Sequence, residues 1–382
     1  CKLKKKYIIF SIVTLVLLVT LVTCFNYFKT SNNYVEDSVN NQTKIIKGIS
    51  MNLEQTAGAG DYKTVTQSSW PTEGYKFNTE LSRCENGSTL SWDDSKKAVV
   101  MNGNVSDKCY VYFDKVLTLA NYVISQYTGI QGENSLYYHD SNLANGVGDN
   151  SYRYAGASDS VNNYICLGSD AATCPDDNLF RIIGVFGAQT KVIRAKSVGN
   201  QKWDTSSSNK WSSSSLNTYL NGTYLTSLGT LKNKIATTTW KVGGGTPANI
   251  SEVVPATAYK NEVGSSASRT IVNKKIGLMY VTDYYYSASP SAWTLVGYNS
   301  SDTTKDYRVA KTINWLYLGS YEWTISCHSG TSYSAFGVGN LGYVSGYFDV
   351  STSSAVRPTF NLESSVKYVS GSGSMSDPVR VN

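Results

Sequence analysis

The sequence contains little of what most catalytic sites are built from. Two His residues in 382, His139 and His328, leave scant material for imidazole acid/base pairs or His-rich metal sites. No Cys-x-x-Cys occurs, so neither a zinc ribbon nor a thioredoxin-type redox centre is supported. Charged residues make up only 16%, and Met only four positions. The formal charge of +6 also overstates the basic character of the body. Lys2, Lys4, Lys5, Lys6 and Lys29 lie in the first thirty residues, which contain no acid, so the other 352 residues carry 29 basic against 28 acidic side chains. Phosphate neutralisation needs clustered Lys and Arg, so no nucleic-acid partner is expected. No period of 20 to 50 residues recurs, which excludes a repeat architecture.

What is present describes an exported globular protein. The chain is 41% hydrophobic, enough for a sizeable core, and unusually rich in Tyr at 29 positions, with eight Trp. Residues 7 to 24 form one uncharged apolar run behind Lys4-Lys5-Lys6, and extension through Tyr27-Phe28 reaches the length a bilayer requires. The Lys cluster ahead of the run predicts an N-terminal transmembrane helix with its tail in the cytoplasm and the body outside. A lipoprotein signal ending at Cys24 or a cleaved secretory signal are the alternatives, and all three export the body. In an oxidising compartment Cys84 with Cys109 and Cys166 with Cys174 are the sequence-local disulfide candidates, which leaves Cys327 odd.

The expected organisation has five parts. Residues 1–30 form the cytoplasmic tail and membrane anchor, and the polar, Asn-rich residues 31–50 a stalk. Residues 51–114 carry five β-like runs separated by turn-formers such as Asn86-Gly87 and Asn102-Gly103, which predict a small disulfide-clipped β-sandwich. Residues 115–150 read as a helix and linker, because Val116, Leu117, Ala120, Val123, Ile124 and Tyr127 fall at helical spacing. The Asp140–Asn150 stretch is oxygen-rich, but its Gly is misplaced for an EF-hand loop, so an ordinary turn is expected and no metal. Residues 151–382 form a larger β-rich domain, giving a mainly β chain with minor α content. Its expected elements include a hairpin across Gly187-Ala-Gln-Thr, a short helix from Leu216 broken at Asn221-Gly222, and strands over Lys275–Thr282 and Tyr321–Ser326.

Segments of this second half, in order, carry a resemblance. They are Asp149-Asn-Ser-Tyr-Arg-Tyr, Asn163-Tyr-Ile-Cys-Leu-Gly-Ser-Asp, Asn178-Leu-Phe-Arg-Ile-Ile-Gly-Val-Phe, Lys234-Ile-Ala-Thr-Thr-Thr-Trp, Lys275-Ile-Gly-Leu-Met-Tyr-Val-Thr-Asp-Tyr and Ala355-Val-Arg-Pro-Thr-Phe-Asn-Leu. They resemble a family of envelope-anchored proteins from Gram-positive gut bacteria, a likeness that implies a surface location and no particular activity. The arrangement of Trp323-Thr-Ile-Ser, a variable stretch with a central Gly342, and then Val356-Arg-Pro-Thr-Phe is similar to the end of C-type-lectin-like and formylglycine-generating-enzyme-like domains. That likeness implies that Trp323 and Arg357 are structural, and that the stretch between them is displayed to ligand. Ala355-Val-Arg-Pro stands here where many such domains have Gly-Phe-Arg.

Two motifs are decoys. Gly337-Val-Gly-Asn-Leu-Gly342 matches the dinucleotide fingerprint by letter, but a strand-like run follows it where the motif needs a helix. Cys327 and His328 are adjacent on a strand or its exit, where neighbours point to opposite faces, so no nucleophile and base pair is expected. Neither catalytic residues nor a cofactor is assigned. The functional expectation rests on aromatic side chains, which offer large rigid faces to partners outside the cell. Three successive Tyr on a strand cannot all face inward. Tyr284, Tyr285, Tyr286 and Trp293 are therefore the leading ligand contacts, with Trp315, Tyr343 and Tyr347 as further candidates. The expected function is an adhesin-like, non-enzymatic binding module at the cell membrane, for an extracellular glycan or protein. A structural envelope or appendage component is the alternative, and a surface hydrolase the third reading.

Overall fold

The computed structural model describes residues 48–66, 69–71, 74–243, 245–264 and 270–382, with the backbone of the strands Tyr34–Asp37 and Thr43–Ile45. The expected membrane anchor at 1–30 and much of the expected stalk lie outside the described residues. Among the described residues, no helix is long and apolar enough to cross a membrane. The described chain is mainly β, in open sheets, and divides into two compact units, Cys1–Leu117 and Thr118–Asn382.

Among the described residues, the first unit has two sheets. One runs in the order Tyr62–Val65, Ile49–Glu54, Cys109–Lys115, Tyr75–Phe77, with Arg83–Cys84 also paired to Cys109–Lys115. The other runs Thr43–Ile45, Tyr34–Asp37, Ala98–Asn102, Thr89–Asp93. Strand alternation puts Cys109, Val111 and Phe113 inward, and they share one core with Val99 and Met101 of the second sheet. Phe113 is the centre of that core, with the rings of Trp70, Phe77 and Trp92 at 6.0, 5.8 and 5.7 Å. Cys84 faces Cys109 across an antiparallel pair and forms the expected disulfide.

Polar composition misled at the stalk. Tyr34–Asp37 and Thr43–Ile45 are strands, and Ile49–Glu54 lies inside its sheet in parallel register with Cys109–Lys115. Only Ile49 and Ser50 of that strand fall in the expected stalk; Met51 to Glu54 lie in the expected β domain.

The second unit is built on a nine-stranded sheet. Its order is Ile276–Gly277, Thr359–Leu362, Gln189–Arg194, Leu179–Phe186, Tyr164–Cys166, Val379–Val381, Tyr368–Ser370. Tyr152–Tyr154 pairs with Leu179–Phe186, and Leu136–Tyr138 with Tyr152–Tyr154. Leu179 to Val185 are all buried, as befits a strand covered on both faces. Leu179–Phe186 and Gln189–Arg194 form the expected hairpin, closed by Gly187 at φ +62°, a backbone conformation that Gly adopts without steric cost. Cys166–Cys174 is the second expected disulfide. A five-stranded sheet follows the order Asn200–Lys202, Ser353–Ala355, Glu322–Cys327, Ser334–Val338, Val344–Asp349, and a separate hairpin joins Thr238–Val242 to Thr270–Lys274. Within residues 115–150, Leu119–Ser125 is helical, capped by the Thr118 hydroxyl accepting from the Asn121 amide, and Leu136–Tyr138 belongs to the large sheet rather than to a linker.

Two expectations fail for identifiable reasons. The helix starting at Ser215 does not break at Asn221-Gly222 but widens into a π turn over Leu220–Tyr224. Asn221 is held there by its side chain, which donates to the Ile276 carbonyl at 2.8 Å and accepts from the Ile276 amide at 3.0 Å. The expected strand over Lys275–Thr282 is reduced to Ile276–Gly277, and Val281–Tyr286 is a helix. Asp283 starts that helix by accepting from the Tyr280 amide at 2.8 Å, a capping contact that overrides the strand preference of Val and Tyr.

Candidate functional site

A small pocket of about 200 Å³ opens beside the large sheet, walled by rings and lined with charge. Lys191 comes from the strand Gln189–Arg194 and is buried, its ammonium paired with the carboxylate of Asp283. The rings of Tyr280, Trp240 and Phe186 surround the ammonium at 4.6, 5.5 and 5.6 Å. Burial pulls the Lys191 pKa below the usual lysine range, against the attraction of Asp283. Lys191 lies among buried neighbours on its strand, Thr190, Val192 and Ile193, and Asp283 is fixed by its capping role at the start of Val281–Tyr286.

A second cation lies on the same wall. Arg153, on Tyr152–Tyr154, donates from Nε to the Ser151 hydroxyl at 2.8 Å and from Nη2 to Asp149 Oδ2 at 2.7 Å. Phe186 and Tyr259 flank its guanidinium at 4.7 and 5.3 Å. Asp149 also accepts from the Tyr259 hydroxyl at 2.8 Å. Burial alone would raise the Asp149 pKa, but Arg153 and the hydroxyls of Ser151 and Tyr259 hold it down to about 2. Behind the pocket, Glu262 is fully buried and accepts from the amides of Val281 and Thr282, both at 2.9 Å, and from the hydroxyls of Thr282 and Ser326. Desolvation raises its pKa despite those four donors.

One lining group is left incomplete. Asn361, on Thr359–Leu362, donates from Nδ2 to the Thr238 hydroxyl at 3.1 Å, while its buried Oδ1 has no partner among the described residues. Exchanging the two ends of the amide would leave the other end unmatched, so the pocket wall holds one unanswered polar group in either orientation. Lys191 and Arg153 are engaged by carboxylates, and the third lining cation, Lys241, donates to the carbonyls of Val263 and Gly264 at 2.8 and 2.9 Å. Among the described residues, no group of three or more His, Cys, Asp or Glu is placed to hold a metal ion. The arrangement can therefore hold a small ligand by ring contact and hydrogen bonds.

The sequence-nominated aromatics are mostly elsewhere. Tyr284, Tyr285 and Tyr286 lie on a helix rather than a strand and are completely buried. A helix can be enclosed on every side, and each phenol is anchored to the carbonyl of a different segment: Gly342 at 2.9 Å, Ile250 at 3.1 Å and Asn145 at 2.9 Å. Trp293 is buried against Tyr286 and His139 and donates to the Ala288 carbonyl at 2.9 Å. Trp315 is buried under the Arg181 guanidinium and donates to the Tyr154 carbonyl at 2.8 Å. These five residues are core, and the ligand-contact assignment is corrected for them. Tyr343 is half-buried and Tyr347 is 65% exposed, on or beside the edge strand Val344–Asp349. The Asp140 region is a turn, with the Asp140 carboxylate accepting from the amides of Asn142 and Leu143. Gly337–Gly342 spans the end of the strand Ser334–Val338 and the turn that leads to Val344–Asp349.

The residues that do line the pocket escaped sequence reasoning. Their one signal was a charge set among strand residues, Arg153 between two Tyr and Lys191 before Val192-Ile193. Residues 188–364 match the family described as Domain of unknown function (DUF6273), a stretch that includes Lys191, Trp240, Asp283 and Asn361 but not Asp149 or Arg153. No curated protein and no solved structure matches the chain.

Proposed function

We propose that Thr118–Asn382 is an extracellular, non-enzymatic binding module and that its charged, aromatic-walled pocket takes one residue of a glycan. The observation that carries this reading is the unmatched Asn361 amide in a pocket whose walls are Trp240, Tyr259 and Tyr280. Rings meet the C–H face of a sugar, and side chains already fixed by ion pairs meet its hydroxyls without losing further freedom on binding. The pocket's size suits a single sugar ring rather than a protein surface, which needs far more area. Export is supported by the two disulfides, which persist in oxidising compartments, and by the apolar run behind Lys4-Lys5-Lys6. The lectin-like reading of residues 151–382 is supported by Trp323, fully buried, and by Arg357, which grips Glu322 through two contacts of 2.6 and 2.8 Å in the core.

A glycan array probed with the full chain and with Asn361→Leu tests the proposal. The wild type is expected to mark a defined set of glycans, and the variant to lose at least tenfold in signal on the same set. A full chain that binds no glycan and associates with itself instead would favour the structural envelope component.

A further inference from the structure

A second pocket of the same unit, about 650 Å³, opens at the end of the five-stranded sheet and is independent of the glycan reading above. It is bordered by the exit of the strand Glu322–Cys327, the loop after it, and Trp211. The loop is tightly held. Asn209 Nδ2 lies within 2.7, 2.8 and 2.9 Å of the carbonyls of His328, Thr331 and Ser334, and the Ser329 amide donates to the Gly245 carbonyl at 2.7 Å. Gly330 is needed where it stands, because a Cβ there would come within 2.7 Å of the His328 ring.

Three residues on the border of this pocket carry a buried polar atom with no partner among the described residues: Trp211 Nε1, His328 Nε2 and Thr331 Oγ1. The Gly330 amide donates to His328 Nδ1 at 2.7 Å, so Nδ1 is an acceptor and the neutral ring carries its proton on Nε2. Trp211 Nε1 can only donate, and the Thr331 hydroxyl can donate. Lys210 adds a cation at the rim, and none of the described residues bordering the pocket is acidic. Each buried donor left unanswered costs free energy unless an acceptor meets it.

We propose that this second pocket binds an oxyanion, the carboxylate, sulfate or phosphate of an acidic ligand, through the N–H groups of Trp211 and His328, the Thr331 hydroxyl and the Lys210 ammonium. An oxyanion offers several acceptor lone pairs and a charge opposite to that of Lys210, whereas a neutral hydroxyl supplies fewer acceptors and no charge.

Indole N–H resonances of the ¹⁵N-Trp-labelled full chain, titrated separately with sodium sulfate, inorganic phosphate, glucuronate and neutral methyl glucoside, provide the test. The resonance missing in Trp211→Phe is expected to shift saturably with the anions and not with the glucoside. Stronger binding of glucuronate assigns the oxyanion to an acidic sugar, and stronger binding of sulfate or phosphate to an inorganic or esterified anion. Thr331→Val, a half-buried loop position of nearly unchanged shape, is expected to weaken the preferred anion about tenfold with no change in melting temperature. The proposal is overturned if no anion shifts the Trp211 signal saturably, if the glucoside shifts it equally, or if Thr331→Val binds as well as wild type.

Discussion

The two units enclose their cores by different means. Cys1–Leu117 is closed by a compact apolar cluster around Phe113 and by a covalent clip between adjacent strands, and the cluster consists of aliphatic, aromatic and sulfur side chains. Thr118–Asn382 buries charge in its interior: Lys191 with Asp283, Arg357 with Glu322, Glu262 among four donors, and Arg181 among the carbonyl of Val161, the Asn163 side chain and the rings of Tyr164 and Trp315. Desolvation pushes even the Arg181 guanidinium down, to about 10. A buried charge must be met from several directions: the smaller unit buries carboxylates, Glu54 held by the amides of Gly60 and Lys115 and Asp107 by those of Asn86 and Ser88, whereas the larger unit also encloses cations. In the larger unit, the pocket proposed to bind is lined by members of two ion pairs, Lys191 with Asp283 and Arg153 with Asp149.

The contrast is broken most severely by uncoupling a buried pair. Glu322→Gln leaves Arg357 charged and under-partnered in the core and should destabilise Thr118–Asn382 by about 4 kcal/mol, leaving the first unit unchanged. Urea unfolding followed separately by Trp92 and Trp323 fluorescence, each in a background lacking other reporters, would detect it. A transition that moves in both units would contradict independent cores. Next in size is the clip. Cys84→Ser with Cys109→Ser releases a loop of sequence separation 25 and should cost the first unit about 3 kcal/mol, with no shift in the second.

The smallest effect is pH-dependent. The Asp149 pKa is depressed to about 2, below the unfolded value of about 4, so its stabilisation is complete above pH 5 and is lost as pH falls through 4 toward 2. Asp149→Asn should therefore cost the larger unit about 2 kcal/mol at pH 7, and the gap to wild type should narrow below pH 4 and nearly vanish by pH 2. A gap that is constant across that range would mean that Asp149 acts by packing rather than by its charge.

Much of the strand content was legible because alternation survives in short strands: all five β-like runs of the first unit are strands, and both disulfides follow from local spacing in an export context. The helix at Val281–Tyr286 was not legible. Its β-favouring residues are overruled by one capping carboxylate and by enclosure on every side, and neither is a local property of Tyr284-Tyr285-Tyr286. The binding candidates failed for a related reason. An aromatic count cannot separate a phenol that anchors a backbone carbonyl from one that faces solvent, so Tyr285 and Tyr347 look alike until burial is known. Arg153, Lys191, Asp283 and Asn361 converge from four segments far apart in the chain, and no spacing rule relates them.

The most direct test of the central claim pairs stability with binding in Asn361→Leu. Asn361 makes one side-chain hydrogen bond and leaves its Oδ1 unmatched, so an apolar replacement of similar size removes an unsatisfied group. If the residue is kept for a ligand, the full-length variant should melt at or above the wild-type temperature and lose at least tenfold in affinity for the best array glycan by calorimetry. A variant that melts lower and binds the glycan unchanged would contradict the account.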